Sequence, residues 1–225
     1  MFSMFRDTDQ LDTVERQILE MLGGCHDAYG LATEALFGER APSDIAEPLD
    51  SMDKDLNRTE RAIRRELLVH GTVHGAEVDQ GLMLTYMSVA KDLERIGDYC
   101  KDIWNLAQIG ASFSGSEDHD ELERHRARVS WLIDRTLEIF TSQDAEAVHE
   151  MIPGIREDLD HYEHHLIEFT NSSRPGTEAV PRALFYRYLE RISAHLANAL
   201  SSLVMPVDRI DFYKASKATI EPEDE

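Results

Sequence analysis

Two carboxylates spaced one helical turn apart are the residues of this sequence that are best placed to do chemistry. Glu94 and Asp98 lie in the segment Asp92–Asp102, which reads DLERIGDYCKD. In a helix this spacing puts both on one face, where like charges cost about 0.2–0.5 kcal/mol. Gly97 between them costs about 1 kcal/mol relative to Ala, but it allows close approach of a neighbouring helix or an ion. The pair offers hard oxygen ligands for Mg²⁺, Ca²⁺, Mn²⁺ or iron.

The same spacing has a simpler interpretation, in which Asp98 is neutralised by a basic neighbour. Arg95 and Lys101 each lie three residues from Asp98 and could pair with it. A preceding helix carries further oxygen donors on one face: Asp53, Asn57 and Glu60. These side chains could complete a metal site or form a solvated polar stripe, and the sequence leaves both interpretations open.

Histidines form a second group with possible chemistry. Glu157, His161 and His165 recur every four residues, and His164 is adjacent. Two histidines one turn apart can bind a transition metal or titrate near neutral pH. Solvated surface histidines in an acidic field are the favoured interpretation here. A single Glu-x-x-His at residues 146–149 does not make a di-metal bundle, which needs two such elements.

The charge balance excludes several classes of partner. Acidic residues outnumber Lys and Arg by 44 to 23, which gives a formal net charge of −21. A nucleic-acid binder needs a basic face to displace counterions from phosphates, and direct adsorption to anionic lipid needs the same. Free phosphate or nucleotide would also be repelled unless a bound cation or a nest of backbone N–H groups reversed the field. We therefore expect no nucleic acid and no direct lipid binding.

Motifs of familiar enzymes are missing from the sequence. It has no Gly-rich phosphate loop, no Gly-x-Ser-x-Gly elbow and no Cys-x-x-Cys, so we expect no catalytic residues and no organic cofactor. Cys25 and Cys100 fall on apolar helical faces, which predicts buried, reduced thiols. Without a signal-peptide pattern or a run of about 18 apolar residues, the chain is predicted to be soluble and cytoplasmic.

Apolar residues recur every three or four positions almost throughout, which predicts an all-α protein of six helices. Breaks separate the apolar stripes. The stretch Gly38–Pro42 is predicted to close the first helix, with Ser43 as the N-cap of the second. Residues 71–75 are predicted to separate the second helix from the third. Pro181 suits the first turn of the sixth helix, and Pro206 is predicted to end or kink it.

An internal repeat predicts how these helices are arranged. Residues 93–96, LERI, recur as residues 189–192, and the flanking apolar positions keep the same offset of 96. The second and fifth helices match at an offset of 103. We therefore expect two repeated three-helix bundles side by side. The predicted divisions are a first repeat at 1–110, a linker at 111–120, a second repeat at 121–215 and an acidic, disordered tail at 216–225.

These motifs resemble the PhoU family of phosphate-signalling proteins over nearly the whole chain. Residues 93–98 read LERIGD, the family's third-helix signature, and residues 53–57 match its Asp-x-x-hydrophobic-Asn pattern. Asp79 falls on the Asp of the family's Asp-Leu-Arg element, although Gln and Gly follow it here. The resemblance implies metal binding by Glu94, Asp98, Asp53, Asn57, Asp79 and Glu190. The metal would be a divalent ion or iron.

The second repeat departs from the family pattern. Ala194 stands where Asp98 stands in the first repeat, and Arg156 replaces the counterpart of Asp53. Only Glu190 survives there, with His195 as a possible helper. We therefore expect the first bundle to bind metal better than the second.

The resemblance also implies a function, namely a non-enzymatic cytoplasmic regulator of phosphate uptake and of the phosphate-starvation response, transcription included. It would dock on the cytoplasmic face of a phosphate transporter, on a sensor histidine kinase, or on both. An acidic surface suits such partners because cytoplasmic loops of membrane proteins are rich in Lys and Arg. The sequence leaves open whether the protein forms a homodimer. The alternative is a carboxylate-site metalloenzyme or a metal-binding helical protein unrelated to phosphate control.

Overall fold

The computed structural model describes residues 9–75 and 78–210. These residues form six α helices joined by connecting segments, with no strand among them. Numbered in chain order, the helices are α1 Asp9–Leu36, α2 Pro42–His74, α3 Gln80–Gln108, α4 His119–Ser142, α5 Ala145–Thr170 and α6 Gly176–Ser201. A short 3-10 helix, Val207–Arg209, follows α6. The prediction of an all-α, six-helix protein is confirmed. The predicted tail at 216–225 lies outside the described residues.

Several predicted helix boundaries are wrong by up to five residues. α2 begins at Pro42 with Ala41 as its N-cap, so Ser43 is not the cap. Proline suits this position because the first N–H of a helix has no partner to lose. Pro181 lies inside α6 rather than in its first turn, since α6 already begins at Gly176.

The other two breaks also shift along the chain. α2 runs through Gly71 and ends at His74, and Gly75 then takes a positive φ of 58° at the turn. α6 ends at Ser201, five residues before Pro206, which instead precedes the 3-10 helix.

Contacts between helices follow the predicted repeat only in part, because α4 and α5 contact each other far less than α1 and α2 do. In the first half α1, α2 and α3 pack against one another, and in the second half α6 packs against α4 and α5. The halves join where α3 packs on α6 and α1 packs on α4. Buried side chains from all six helices form one continuous hydrophobic core. The two bundles are therefore halves of one packed body.

The apolar stripes are buried as the repeat predicts. Val89, Leu93 and Ile96 of α3 are almost fully buried, and so are the α6 residues that correspond to them at an offset of 96, Phe185, Leu189 and Ile192. Cys25 and Cys100 are buried free thiols, as predicted. Burial raises the pKa of the Cys25 thiol to about 12, which keeps it protonated and unreactive.

Side-chain contacts between α3 and α6 show the two-fold character of the repeat. His195 Nδ1 lies 2.7 Å from Asp92 Oδ1 in a buried pair. At the repeat offset of 96, His195 corresponds to Tyr99 and Asp92 corresponds to Tyr188. The rings of these two tyrosines also pack together, with centroids 6.0 Å apart. When residue i meets j and the equivalent of j meets the equivalent of i, the two units are related by a two-fold axis. The repeats share this geometry although their residue types have diverged.

The connection between α3 and α4, residues 109–118, is anchored to both halves of the protein; the last two residues of the predicted linker at 111–120 belong to α4. Phe113 is fully buried, and its N–H donates to the Leu36 carbonyl at the end of α1. Arg182 of α6 donates to both carboxylate oxygens of Asp118, at 2.6 and 2.7 Å, and its guanidinium lies over the Phe113 ring. The predicted domain division stays a prediction, but the segment itself is packed between α1 and α6.

α2 packs closely against α3 at Gly97. A Cβ added to Gly97 would lie 2.5 Å from Leu56 Cδ1, well inside van der Waals contact. Leu56 cannot retreat freely, because its Cδ2 already lies 3.3 Å from the Cβ position of Gly24 on α1. The leucine therefore fills a slot between two glycines, and Gly97 serves the close helix approach that its position predicted.

We expect Gly97→Ala to destabilise the protein by about 1–2 kcal/mol, because overpacking of the buried leucine outweighs the gain in helix propensity. Gly23→Ala is the matched control, since no atom lies within 4 Å of its added Cβ. That control should gain up to about 1 kcal/mol. Urea denaturation of both variants measures the difference. Equal stabilisation by the two substitutions would contradict the packing described here.

Candidate functional site

Five polar side chains of α2 and α3 meet beside the Leu56–Gly97 contact. We call them the carboxylate cluster, and they are Asp53, Asn57, Glu60, Glu94 and Asp98. α2 contributes the first three at intervals of three and four residues, so they share one helix face. α3 contributes the Glu94–Asp98 pair. The structure thus brings together four of the six predicted metal ligands and adds Glu60.

Glu94 and Glu60 are the buried part of the cluster, with exposed fractions of 9% and 4%. Lys91 links them, because its Nζ lies 2.5 Å from Glu94 Oε2 and 3.8 Å from Glu60 Oε1. Arg64 Nη2 lies 2.6 Å from the same Glu60 oxygen. Buried charges require such partners, and here cationic side chains supply them.

Asp98 is the more open member of the pair, and its carboxylate is less well compensated. Arg95 Nη1 lies 3.3 Å from Asp98 Oδ2, the ion pair that the simpler interpretation of the spacing predicted. Partial burial and then the negative charge of Glu94 raise the pKa of Asp98, and Asp53 adds to this effect. The aspartate therefore lies in an electrostatic field that favours an added cation or a proton.

Asp53 pairs with the other basic neighbour. Lys101 Nζ donates to Asp53 Oδ2 at 3.1 Å, so Lys101 neutralises α2 rather than Asp98. Asn57 Nδ2 donates to the Asp53 carbonyl at 3.0 Å, which orients the amide on the same helix face. The hydrogen bond to Asp53 raises the pKa of Lys101, although burial of the ammonium group acts in the opposite direction.

The donor set of this cluster fits a hard cation. Its ligating atoms are carboxylate and amide oxygens, which suit Mg²⁺, Mn²⁺ and iron better than soft metals. Burial and then the charge of Glu94 raise the pKa of Asp98, so its carboxylate is the member of the cluster that an added cation would stabilise. Lys91 currently occupies the space beside Glu94, so an ion bound there would displace its ammonium group.

The other two predicted ligands lie elsewhere. Asp79 is the N-cap of α3 and accepts a hydrogen bond from the Leu82 N–H at 3.0 Å. Glu94 lies fifteen residues further along the chain, about 22 Å along the helix axis, so Asp79 does not share its site. Glu190 is buried on α6 and accepts from Arg187 at 2.5 Å.

The Glu190 pair repeats the first bundle in part. Arg187 and Glu190 correspond to Lys91 and Glu94 at the offset of 96, and both pairs have the same donor and acceptor roles. Ala194, which stands in place of Asp98, is buried and brings no charge. The second bundle therefore keeps the buried acid and its basic partner but lacks the second carboxylate.

Sequence reasoning missed one candidate site, a three-histidine cluster in the second half. His125 of α4 meets His161 and His165 of α5, and one ring nitrogen from each lies within 4.8 Å of the others. The favoured interpretation of solvated surface histidines is wrong for His165, which is buried. The i, i+4 spacing identified two members, but no local spacing connects His125, thirty-six residues earlier, to them.

Comparisons with known proteins agree with the resemblance that the signature carries. A family model described as the PhoU domain matches residues 18–107, which include every member of the carboxylate cluster. Residues 18–107 are therefore similar to a PhoU domain. The predicted resemblance to the PhoU family is thereby confirmed.

Relatives extend the similarity beyond that domain. The chain is 27% identical over 195 residues to the phosphate-specific transport system accessory protein PhoU homolog of Synechocystis, which covers 84% of this chain and 85% of that protein. Its fold resembles crystal structures of PhoU from Pseudomonas aeruginosa and Streptococcus pneumoniae, with TM-scores of 0.73 and 0.72 at 20% and 18% identity. These alignments cover 87% and 86% of this chain, and 95% and 93% of the other two. Among the described residues, no helix is both long and apolar enough to cross a bilayer.

We expect Asp98→Asn to make the protein more stable than wild type at pH 7 in chelator-treated buffer. The raised pKa of Asp98 means that its ionised form is disfavoured in the folded state, so wild type loses stability as the pH rises through that pKa. The advantage of the variant should shrink as the pH falls toward about 4, where the aspartate takes up a proton.

Asp55→Asn is the matched control for this prediction. Asp55 also pairs with an arginine three residues away, at 2.8 Å, but both side chains are exposed. Its substitution should change stability little at either pH, since surface ion pairs contribute about 0–1 kcal/mol. Urea denaturation at a series of pH values gives both comparisons, and a destabilised Asp98→Asn at pH 7 would contradict the assignment.

Proposed function

We propose that this protein is an accessory regulator of phosphate transport that acts by binding another protein. The observation that supports this most strongly is its similarity to a phosphate-specific transport system accessory protein over 84% of the chain. The match of residues 18–107 to the PhoU domain agrees with that assignment. The partner would be the cytoplasmic face of a phosphate transporter, a sensor histidine kinase, or both.

The distribution of charge supports docking on a basic partner. Of the acidic side chains in the described part of the chain, four are buried: Glu60, Asp92, Glu94 and Glu190. The other acidic side chains of the described residues are therefore at least partly exposed to solvent. Such a surface complements the Lys- and Arg-rich cytoplasmic loops of membrane proteins and steers association with them.

A cation bound at the carboxylate cluster is the second part of the proposal. Glu94 and Asp98 would be the principal ligands, with Asp53, Asn57 and Glu60 as neighbours. The high negative charge density at Asp98 and the oxygen-only donor set support Mg²⁺, Mn²⁺ or iron. Glu190 without a second carboxylate would bind more weakly. A bound cation would change the charge of the surface that α2 and α3 present to a partner. The supply of the metal would then influence how tightly the protein docks.

Partner binding can be tested with the full chain and the phosphate transporter of the same organism in detergent. We expect binding at low salt. The affinity should fall about tenfold or more above physiological ionic strength, where the Debye length is about 8 Å. Phosphate uptake by cells that lack the protein should change, and the full chain should restore it. Absence of binding together with unchanged uptake would contradict the proposal.

Metal binding can be tested with Mn²⁺, followed by electron paramagnetic resonance. We expect Asp98→Asn to weaken Mn²⁺ binding at least tenfold, because it removes one of the two principal charged oxygen ligands proposed for the ion. Asp55→Asn controls for the loss of one negative charge and should leave the affinity unchanged. Loss of metal with intact transporter binding would show that the two roles are separate. Metal-dependent turnover of a phosphate ester would instead support the metalloenzyme alternative.

A further inference from the structure

The three-histidine cluster lies where α4 crosses α5, away from the carboxylate cluster. His161 and His165 project from the same face of α5, and their Nε2 atoms are 3.1 Å apart. His125 approaches from α4, with ring centroids 5.1 Å from His161 and 5.5 Å from His165. Three imidazoles from two helices thus surround one point.

Two neighbouring side chains orient the ring of His165. Its ring stacks on Tyr186 of α6, with centroids 4.5 Å apart and an interplanar angle of 16°. Its Nδ1 lies 3.3 Å from Glu168 Oε2. A carboxylate at this position accepts the Nδ1–H and leaves the lone pair on Nε2, which points toward His161. Histidine ligands of metals are oriented by this kind of carboxylate contact.

A carboxylate of α4 also faces the cluster. Glu121 Oε1 lies 3.6 Å from His165 Nε2 and adds negative charge beside the ring nitrogens. A carboxylate beside imidazole nitrogens favours a bound cation.

From this geometry we propose that His125, His161 and His165 form a site for a divalent transition metal such as Zn²⁺. Imidazole nitrogens suit Zn²⁺, Co²⁺, Ni²⁺ and Cu²⁺, whereas the oxygen-only carboxylate cluster suits harder cations. Tetrahedral Zn²⁺ at about 2.0–2.1 Å from each nitrogen requires nitrogens about 3.4 Å apart. The His161–His165 pair already meets this distance, and side-chain rotation of the half-buried His125 shortens the rest.

The fourth coordination position would face solvent on the side of His161, which is exposed. Glu121 or a water molecule would fill it. The ion would join α4 directly to α5. α5 packs mainly against α6 and α4 packs against α1 and α6, so the two helices contact each other only slightly. Metal binding should therefore raise the thermal stability of the full chain, because an ion that binds only the folded state shifts the unfolding equilibrium. The proposal does not depend on phosphate regulation.

The test uses the full chain, without a polyhistidine tag, and Zn²⁺ in competition with a chromophoric chelator. We expect one Zn²⁺ per chain, a rise in Tm, and visible absorption from tetrahedral Co²⁺ in its place. His161→Ala should weaken Zn²⁺ binding at least tenfold and abolish the rise in Tm; since His161 is exposed, the variant should fold. Glu168→Gln should weaken binding about 10–100-fold by disturbing the orientation of His165.

Two variants separate this site from others. His164→Ala removes an exposed histidine next to the cluster on the same helix and should bind Zn²⁺ like wild type. Asp98→Asn should also leave Zn²⁺ binding unchanged, which keeps this result distinct from that of the Mn²⁺ experiment. The proposal fails if Zn²⁺ does not bind, if His161→Ala binds as tightly as wild type, or if His164→Ala weakens binding equally.

Discussion

The rest of the candidate site depends on the close packing of α2 against α3 at Gly97. Leu56 enters a slot that exists only because Gly97 and Gly24 lack side chains. This contact fixes how near the two polar helix faces come to each other. It forces the acids of α2 and the Glu94–Asp98 pair into a shared electrostatic environment that neither helix would create alone. A packing constraint in the apolar core thus generates the charge density beside it.

The protein compensates that charge unevenly. Its buried acids each have a nearby basic group, which is Lys91 for Glu94, His195 for Asp92 and Arg187 for Glu190. Asp98 is different, because the exposed Arg95 does not offset burial and the charge of Glu94, and the pKa of Asp98 remains raised. Uncompensated charge at one position of an otherwise neutralised group is the pattern expected where a ligand supplies the missing charge.

The two halves show how a repeated frame can diverge in chemistry. The helix contacts between α3 and α6 keep their two-fold relation, yet a buried His195–Asp92 pair on one side corresponds to two tyrosines on the other. The first bundle keeps paired carboxylates, whereas the second has Ala194 in place of one of them. The second bundle instead assembles imidazoles between α4 and α5. Apolar positions maintain the shared fold, so the polar positions were free to change.

The sequence by itself determined the six helices, the repeat and the face on which Glu94 and Asp98 lie, because these depend on local periodicity. The stripes at residues 89–96 and 185–192 were buried as predicted. Only the tertiary structure decided which side chains meet across helices: that Lys91 bridges Glu60 and Glu94, that Asp79 is a cap, and that His125 joins His161 and His165. The spacing of residues along a helix gives the direction in which each side chain projects from the axis of that helix. The crossing angles and axial offsets of packed helices, which place one axis against another, arise only from packing of the whole core.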